Sequence, residues 1–441
     1  MTAASKKPPS ARWKSFEGWD YNGMKQRLEQ FMERVHKAAL LEHVERVSGK
    51  TAKMSEPFSA GQYWCCFEFI LDDHSLVIAR VRLPQHPDSN ENTTEDSELY
   101  AIQCEVATME FLQNNATTVP APKLYTYEPP GSRQALAVGA CYMLIEGFYG
   151  NTLQDVEFDI CDLPMHSQEH IIAQWTSIQA ELATFSFAEI GSISQFSKEG
   201  NGMATVGPLA AAVAERFPSG GPFTTSQQYF AAVGEARYTS ARKDASEFEE
   251  PDESDRFSVL GAFVFCDIVS STGLFTDKEP SFHLNHMDMG TQNILVDDDF
   301  NFLAIIDWEF AQTAPVQVNH FPMPFPLISS SASIQEILQD PEHLAFRNVS
   351  RQTAAQKLYQ QKFQDAERNL ERKGRPVRPS IADGLQKPAS RIYAILEKLG
   401  GFWGTSEELT YEMVRLAFGF QGDEAKAYLE AMEMKMNGKK D

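Results

Sequence analysis

Nowhere in the 441-residue chain do about 18 apolar residues follow one another, so no segment has the length to cross a bilayer as a helix. Cysteine is sparse and unpatterned. The six thiols, at 65, 66, 104, 141, 161 and 266, form no CxxC and no paired metal spacing, and the chain neighbours Cys65 and Cys66 are poor disulfide partners. That usage points to reduced thiols in an intracellular, cytoplasmic setting. The opening residues MTAASKKPPSARWKS lack an apolar h-region, which argues against secretion. They carry no acid before Glu17, so organelle import stays open as the alternative to a solvated tail. Positive charge is in short supply: 39 Lys and Arg face 61 Asp and Glu, a formal charge of -22. Such a surface repels nucleic acid and anionic membranes, which disfavours both as partners, and it favours a cationic small molecule.

What the chain does have is core-forming content, with 42% hydrophobic and 11% aromatic residues. Leu28, Phe31, Met32, Val35 and Ala39 recur at helical spacing within 20–46. Trp64 to Leu71 and Leu76 to Val81 flank an Asp72-Asp73-His74-Ser75 turn and predict a hairpin. A helix is expected over 98–112 and a strand over 136–145. After Gly150 the pattern turns helical, and Ile171, Trp175, Ile178, Leu182 and Phe185 make a stripe whose simplest reading is core. Residues 191–227, rich in Gly, Pro and Ser, predict an irregular excursion, and the acidic run 243–256 a mobile loop. Helices are expected over 350–373 and 385–434, with a small basic patch at Arg372, Lys373, Arg375 and Arg378 that reads as a solvated helix end. The division expected is an extension with a helix over 1–50, a strand-rich lobe over 51–149 and a helical lobe over 150–441, with a nucleotide-sized cleft between the lobes.

The most informative stretch is 283–309, HLNHMDMGTQNILVDDDFNFLAIIDWE. Asp288 and Asn293 stand five residues apart behind His286, and the apolar run Phe302 to Ile306 reads as a strand delivering Asp307. A catalytic carboxylate, an amide oxygen and a second carboxylate are what phosphoryl transfer needs to orient a hydroxyl and hold magnesium on a triphosphate. His286 reads as a structural residue, Asp297 to Asp299 as a turn between strands, and His283 and His320 as packing or surface residues; Glu309 could approach the metal or brace the loop.

These elements, His286-Met287-Asp288 with Asn293-Ile294-Leu295 and then Ile305-Ile306-Asp307-Trp308-Glu309 and Pro315, resemble the aminoglycoside phosphotransferase family, in particular its fungal branch. Further similar stretches lie at 79–84, 105–112, 119–128, 142–153, 185–193 and 221–230, so the resemblance spans about residues 58–315. It implies an α+β, bilobal protein-kinase-like fold with a small β-rich N-lobe and a larger, mainly helical C-lobe. It implies an ATP- and Mg2+-dependent kinase acting on a hydroxyl of a small molecule. Asp288 would orient the acceptor, and Asn293 and Asp307 would bind Mg2+. Arg80 would contact the phosphates and be steadied by Glu105; Glu146 and Phe148, in a hinge over 143–148, would meet adenine through their backbone; Gly61 would sit in the phosphate-covering loop over 59–63.

Three departures bear on the activity. Arg80 stands where the family often has lysine, the loop at 59–63 has one glycine, and Gly290-Thr291-Gln292 replaces the His-Pro-Gly common before the Asn. The first two support a rival reading, a nucleotide-binding pseudokinase acting as an interaction module. A protein kinase is disfavoured, because Gly290 occupies the place of the basic residue two after the catalytic Asp and no Ala-Pro-Glu closes an activation segment.

Overall fold

The structure, a computed structural model, describes residues 7–12, 24–55, 59–60, 63–84, 94–197, 202–210, 220–247, 253–277, 281–323, 325–326, 329–400 and 405–438. The chain divides into two compact units. The first comprises 1–157, 196–203 and 291–308; the second holds the remainder. Packing therefore assigns the hairpin 291–308 to the first unit, although it lies far along the chain.

In the first unit the elements run α1 (Pro9–Arg12), α2 (Met24–Arg34), α3 (Lys37–Ser48), β1 (Ala52–Met54), β2 (Ser59–Ala60), β3 (Trp64–Leu71), β4 (Leu76–Arg82), α4 (Glu95–Asn115), β5 (Leu124–Glu128), α5 (Arg133–Val138), β6 (Tyr142–Gly147), β7 (Asn151–Thr152) and α6 (Leu153–Val156). The strands form one antiparallel sheet in the order β1-β3-β4-β6-β5, with β2 added to β3; β7 stands apart and pairs with Ile294–Val296. The near-continuous apolar runs of β3 and β4, buried along most of their length, suit a sheet covered on both faces. One face presents Cys65, Phe67, Phe69, Val77, Ala79, Val81, Tyr142 and Leu144, packed against Leu28 and Phe31 of α2, Leu40 and Val44 of α3, and Val35 between them. The hairpin turn is held by Asp73, whose carboxylate accepts from the Ser75 N–H (3.1 Å) and hydroxyl (2.6 Å). Helix α4 starts at a Thr94/Ser97 capping box, followed by Glu95, Asp96 and Glu98 in the first turn, where carboxylates favour the helix dipole.

The second unit is mainly helical. Its core joins Ser226–Ser246, Glu253–Ser271, Pro388–Leu396 and Ser406–Phe418 around Phe230, whose ring lies 4.6 Å from that of Phe275. The stripe on Met165–Leu182 is core: Ile171, Trp175, Ile178 and Leu182 are all buried. The fold class is thus the one expected, α+β with a β-rich N-terminal part and a larger helical part.

Several local expectations are corrected. The helix of 20–46 is two helices, because the chain breaks at Val35 and His36, whose ψ of 81° is non-helical. Residues 136–138 close α5 instead of starting a strand; Ser132 caps that helix and Gly139, at φ 93°, ends it. The excursion at 191–227 contains paired strands, Ser192–Phe196 and Ala204–Gly207. The acidic run is helical at both ends, through Ser246 and from Glu253, and 248–252 lie outside the described residues. Residues 385–434 form three helices, and an unforeseen one spans Ser331–Gln339. No described helix is long and apolar enough to cross a membrane.

Candidate functional site

Strand β4 sets the site. In an antiparallel ladder, residues directly opposite each other share a face. Three rows follow from the register on the face away from α2 and α3: Cys66–Arg80–Met143, Glu68–Ile78–Ile145 and Ile70–Leu76–Gly147. Gly147 is there for lack of room, since a Cβ would lie 2.7 Å from that of Leu76.

Arg80 is the centre of this face. One arm of its guanidinium pairs with Glu105 of α4, and the other donates to Asp307 Oδ1 at 3.1 Å. The side chains of Arg80 and Glu105 are 11% and 1% exposed, that of Asp307 32%. The Arg80 guanidinium also lies 4.8 Å from the centre of the Trp64 ring. Burial, reinforced by the Asp307 carboxylate, pushes the Glu105 carboxyl upward against the pull of Arg80.

A second pair runs parallel to the first. Arg82, two residues along β4, bonds Glu98 at 3.1 Å, seven residues nearer the start of α4 than Glu105. Residues i and i+2 of a strand share a face, and seven residues bring a helix back to nearly the same side. The two pairs therefore form rungs between β4 and α4. Arg82 also stacks over Tyr63 (4.7 Å) and Trp64 (5.3 Å). Arg82, Glu98 and Trp64 were missed as site residues in the sequence; the i,i+2 and i,i+7 spacings of opposite charge were the available signal. Glu105 Oε2, Glu98 Oε1, Arg82 Nε and Trp64 Nε1 are buried without a hydrogen-bond partner, an unusual concentration of half-satisfied groups.

The remaining expected positions are placed as follows. Ile294 pairs with Ile305, and the Ile306 N–H donates to the Asn293 carbonyl at 2.9 Å, so Asn293 stands across the ladder from the residue before Asp307. Asn293 is buried, and Asp307 takes a φ of 67°, the left-handed region, which Asp tolerates better than most residues. The Asp297 carboxylate is committed to its turn, accepting from Asp299 and Asn301. At the proposed hinge, the Glu146 N–H already donates to the Lys123 carbonyl at 2.8 Å, so that donor is not the one that would meet a base. Phe148 follows the end of β6, and Gly61 lies outside the described residues. Asp288 belongs to the second unit. Its N–H donates to Nδ1 of the buried His286 at 3.3 Å, and its carbonyl accepts from Gly290 at 2.9 Å. Met287 between them has φ 64°, a conformation that costs a non-glycine residue about 1–2 kcal/mol and that often marks functional loops. The basic patch at 372–378 is largely paired: Arg375 bonds Glu181 (2.5 Å) and Arg378 bonds Glu371 (2.7 Å).

No cluster of three or more His, Cys, Asp or Glu side chains that could hold a metal occurs among the described residues. The donor pair Asn293 and Asp307 fits magnesium in another manner, since Mg2+ is commonly held by one or two hard oxygen ligands together with substrate phosphates and water.

No family model matches this chain, and no curated protein does. Among solved structures, a protein described as a fructosamine-3-kinase from Thermobifida fusca is 12% identical, with TM-score 0.43, covering 86% of this chain and 99% of its own. A macrolide 2'-phosphotransferase from Brachybacterium faecium is 14% identical at TM-score 0.39, covering 92% and 98%. A glucosamine kinase in complex with glucosamine, ADP and inorganic phosphate is 12% identical at TM-score 0.39, covering 92% and 84%. These neighbours are small-molecule phosphotransferases. Scores and identities this low carry neither activity nor acceptor over to this chain.

Proposed function

We propose that this chain is an ATP- and Mg2+-dependent kinase of the aminoglycoside phosphotransferase type, close to its fungal branch, that phosphorylates a hydroxyl of a small molecule. The observation that carries the reading is the convergence on Arg80: a cation on a sheet strand, a buried carboxylate on the following helix and the carboxylate of the Ile-Asp-Trp-Glu element meet at one guanidinium. Segments 25 and 227 residues distant along the chain have no structural need to meet there. A strand cation paired to a helix acid, beside a metal-binding Asp, is the arrangement that positions a nucleotide triphosphate in kinases.

Within the first unit Arg80 would hold phosphate oxygens, its fork suited to them, while Glu105 fixes the guanidinium in place. The Asn293 amide oxygen and Asp307 carboxylate would hold Mg2+, which when bound neutralises charge on the phosphates. Asp288 would orient the acceptor hydroxyl and accept its proton, its backbone set by His286 and Gly290. Transfer would be in line with no covalent enzyme intermediate, so positioning and charge neutralisation supply the rate. The excess of acids favours a cationic acceptor, such as an amine-bearing sugar or alkaloid.

The test is Asp288→Ala, assayed for ATP turnover against a library of hydroxylated metabolites. Turnover should fall by about a hundredfold to ten-thousandfold with nucleotide affinity unchanged. A variant that binds Mg-ATP normally and turns over as fast as the parent refutes the assignment. The pseudokinase reading keeps one observation in its favour, the commitment of Arg80 to two carboxylates. It would be upheld by nucleotide binding without turnover on any acceptor.

A further inference from the structure

The face of the sheet that carries Arg80 also carries a residue with no place in that reading, Glu68. It lies on β3, opposite Ile78, and is fully buried. Both of its carboxylate oxygens are taken by one residue from the start of the chain: the Ser10 N–H donates to Oε2 at 3.1 Å and the Ser10 hydroxyl to Oε1 at 2.6 Å. Ser10 belongs to α1, so this short helix is fastened across 58 residues to the sheet.

Where it is fastened follows from the three rows. The Arg80 row is the one that would face phosphates; the row ending in Gly147 is the hinge row, next to the backbone that would meet a base. Glu68 is in the row between them, about 7 Å along the strand from the level of Arg80 and on the same side of the sheet. A nucleotide laid from Arg80 towards the hinge crosses that middle row over Ile78 and Ile145, with Glu68 on the neighbouring strand about 5 Å to the side, close enough for a helix fastened there to overlie the same surface. Among the described residues no cation pairs with this carboxylate, so while it is buried its charge is compensated by the two bonds from Ser10.

We propose that α1 is an intramolecular occupant of the nucleotide-facing side of the sheet, latched by Ser10 to Glu68, and that nucleotide must displace it to bind. The proposal rests on the kinase reading above. The bound form of α1 then acts as a competing ligand: apparent nucleotide affinity is the intrinsic affinity multiplied by the fraction of molecules with the latch open. Two hydrogen bonds to one carboxylate commonly hold a closed-to-open ratio on the order of ten to a hundred.

The experiment titrates Mg-ADP into the full chain and into its S10E, S10A and R80M variants, with binding read by calorimetry. Ser10→Glu sets a second carboxylate against Glu68 and should tighten Mg-ADP binding about tenfold or more; Ser10→Ala removes one of the two bonds and should tighten it several-fold. Arg80→Met should weaken binding relative to the parent. If parent and S10E bind Mg-ADP with equal affinity, or S10E binds more weakly, while R80M is impaired, the latch is wrong and the kinase reading stands. If no protein in the set binds Mg-ADP, the kinase reading falls and takes the latch with it.

Discussion

Glu105→Gln removes one charge from the most buried ion pair on the sheet, whose side chains are 1% and 11% exposed. Breaking a buried pair by taking one partner costs about 3–5 kcal/mol, because the other charge stays behind. Two features of Arg80 pull the expected cost to the lower end. It keeps the 3.1 Å bond to Asp307, and it keeps the Trp64 face at 4.8 Å, a contact that contributes about 1–2 kcal/mol when desolvated. The glutamine can still accept a hydrogen bond, so the expected loss is about 2–3 kcal/mol. Arg80→Met is harsher, about 3–5 kcal/mol, since it leaves Glu105 buried with Oε2 already unpartnered. Both changes break the same pair, so the double variant should cost clearly less than the sum, with a coupling of about 2 kcal/mol. Denaturant unfolding read by tryptophan emission and far-UV circular dichroism measures this, provided the two transitions coincide. Costs that add to within about 0.5 kcal/mol would refute the pairing as the link between β4 and α4.

Two further outcomes follow from packing and burial. At Gly191 a Cβ would sit 2.0 Å from the Gly207 carbonyl oxygen, so Gly191→Ala should lower Tm by about 2–5 °C, and an unchanged Tm would contradict the close approach. His43, His283 and His320 are all held below the ordinary value of 6.5, in each case chiefly by burial. Below pH 6.5 the unfolded chain then binds more protons than the folded one, so stability is lost as pH falls, by up to about 1.4 kcal/mol per pH unit for each histidine. A Tm that stays flat between pH 7 and pH 5 would show that these rings charge freely in the folded protein.

The parts legible in the sequence were those with one dominant period. The hairpin around Asp72 to Ser75 and the stripe from Ile171 to Leu182 needed only alternation or a helical repeat, and both lie as expected. Short competing signals were not legible. Leu136, Ala137 and Val138 are strand-compatible, yet Ser132 capping Ala135 and left-handed Gly139 make six residues helical. The break at Val35 and His36 has no glycine or proline to announce it; the His36 N–H is instead taken by the Val138 carbonyl, a tertiary contact. Of the site, Arg80, Glu105 and Asp307 were named from spacing and resemblance and are brought together, whereas the second rung, Arg82 with Glu98, escaped because each looks like an ordinary surface charge. Glu68 escaped for a different reason. Its partner is in an opening segment whose composition reads as a solvated tail, and nothing in the spacing of charges ties Ser10 to β3.

That the cation at position 80 is an arginine is more informative in the structure than in the sequence. A lysine presents one compact charge, whereas the planar fork of an arginine can serve Glu105 and Asp307 at once. Both arms are committed to carboxylates, and Ser10 holds the next row of the same face. Nucleotide would therefore have two internal contacts to exchange: Asp307 on Arg80 and Ser10 on Glu68. Weak nucleotide binding by the unmodified chain is accordingly expected both of a latched kinase and of a pseudokinase, and it separates neither from the other. Opening the latch does separate them. With Ser10→Glu in place a kinase should gain turnover in step with its gain in nucleotide affinity, because Asp288, Asn293 and Asp307 are present to use the nucleotide. A pseudokinase would gain affinity alone.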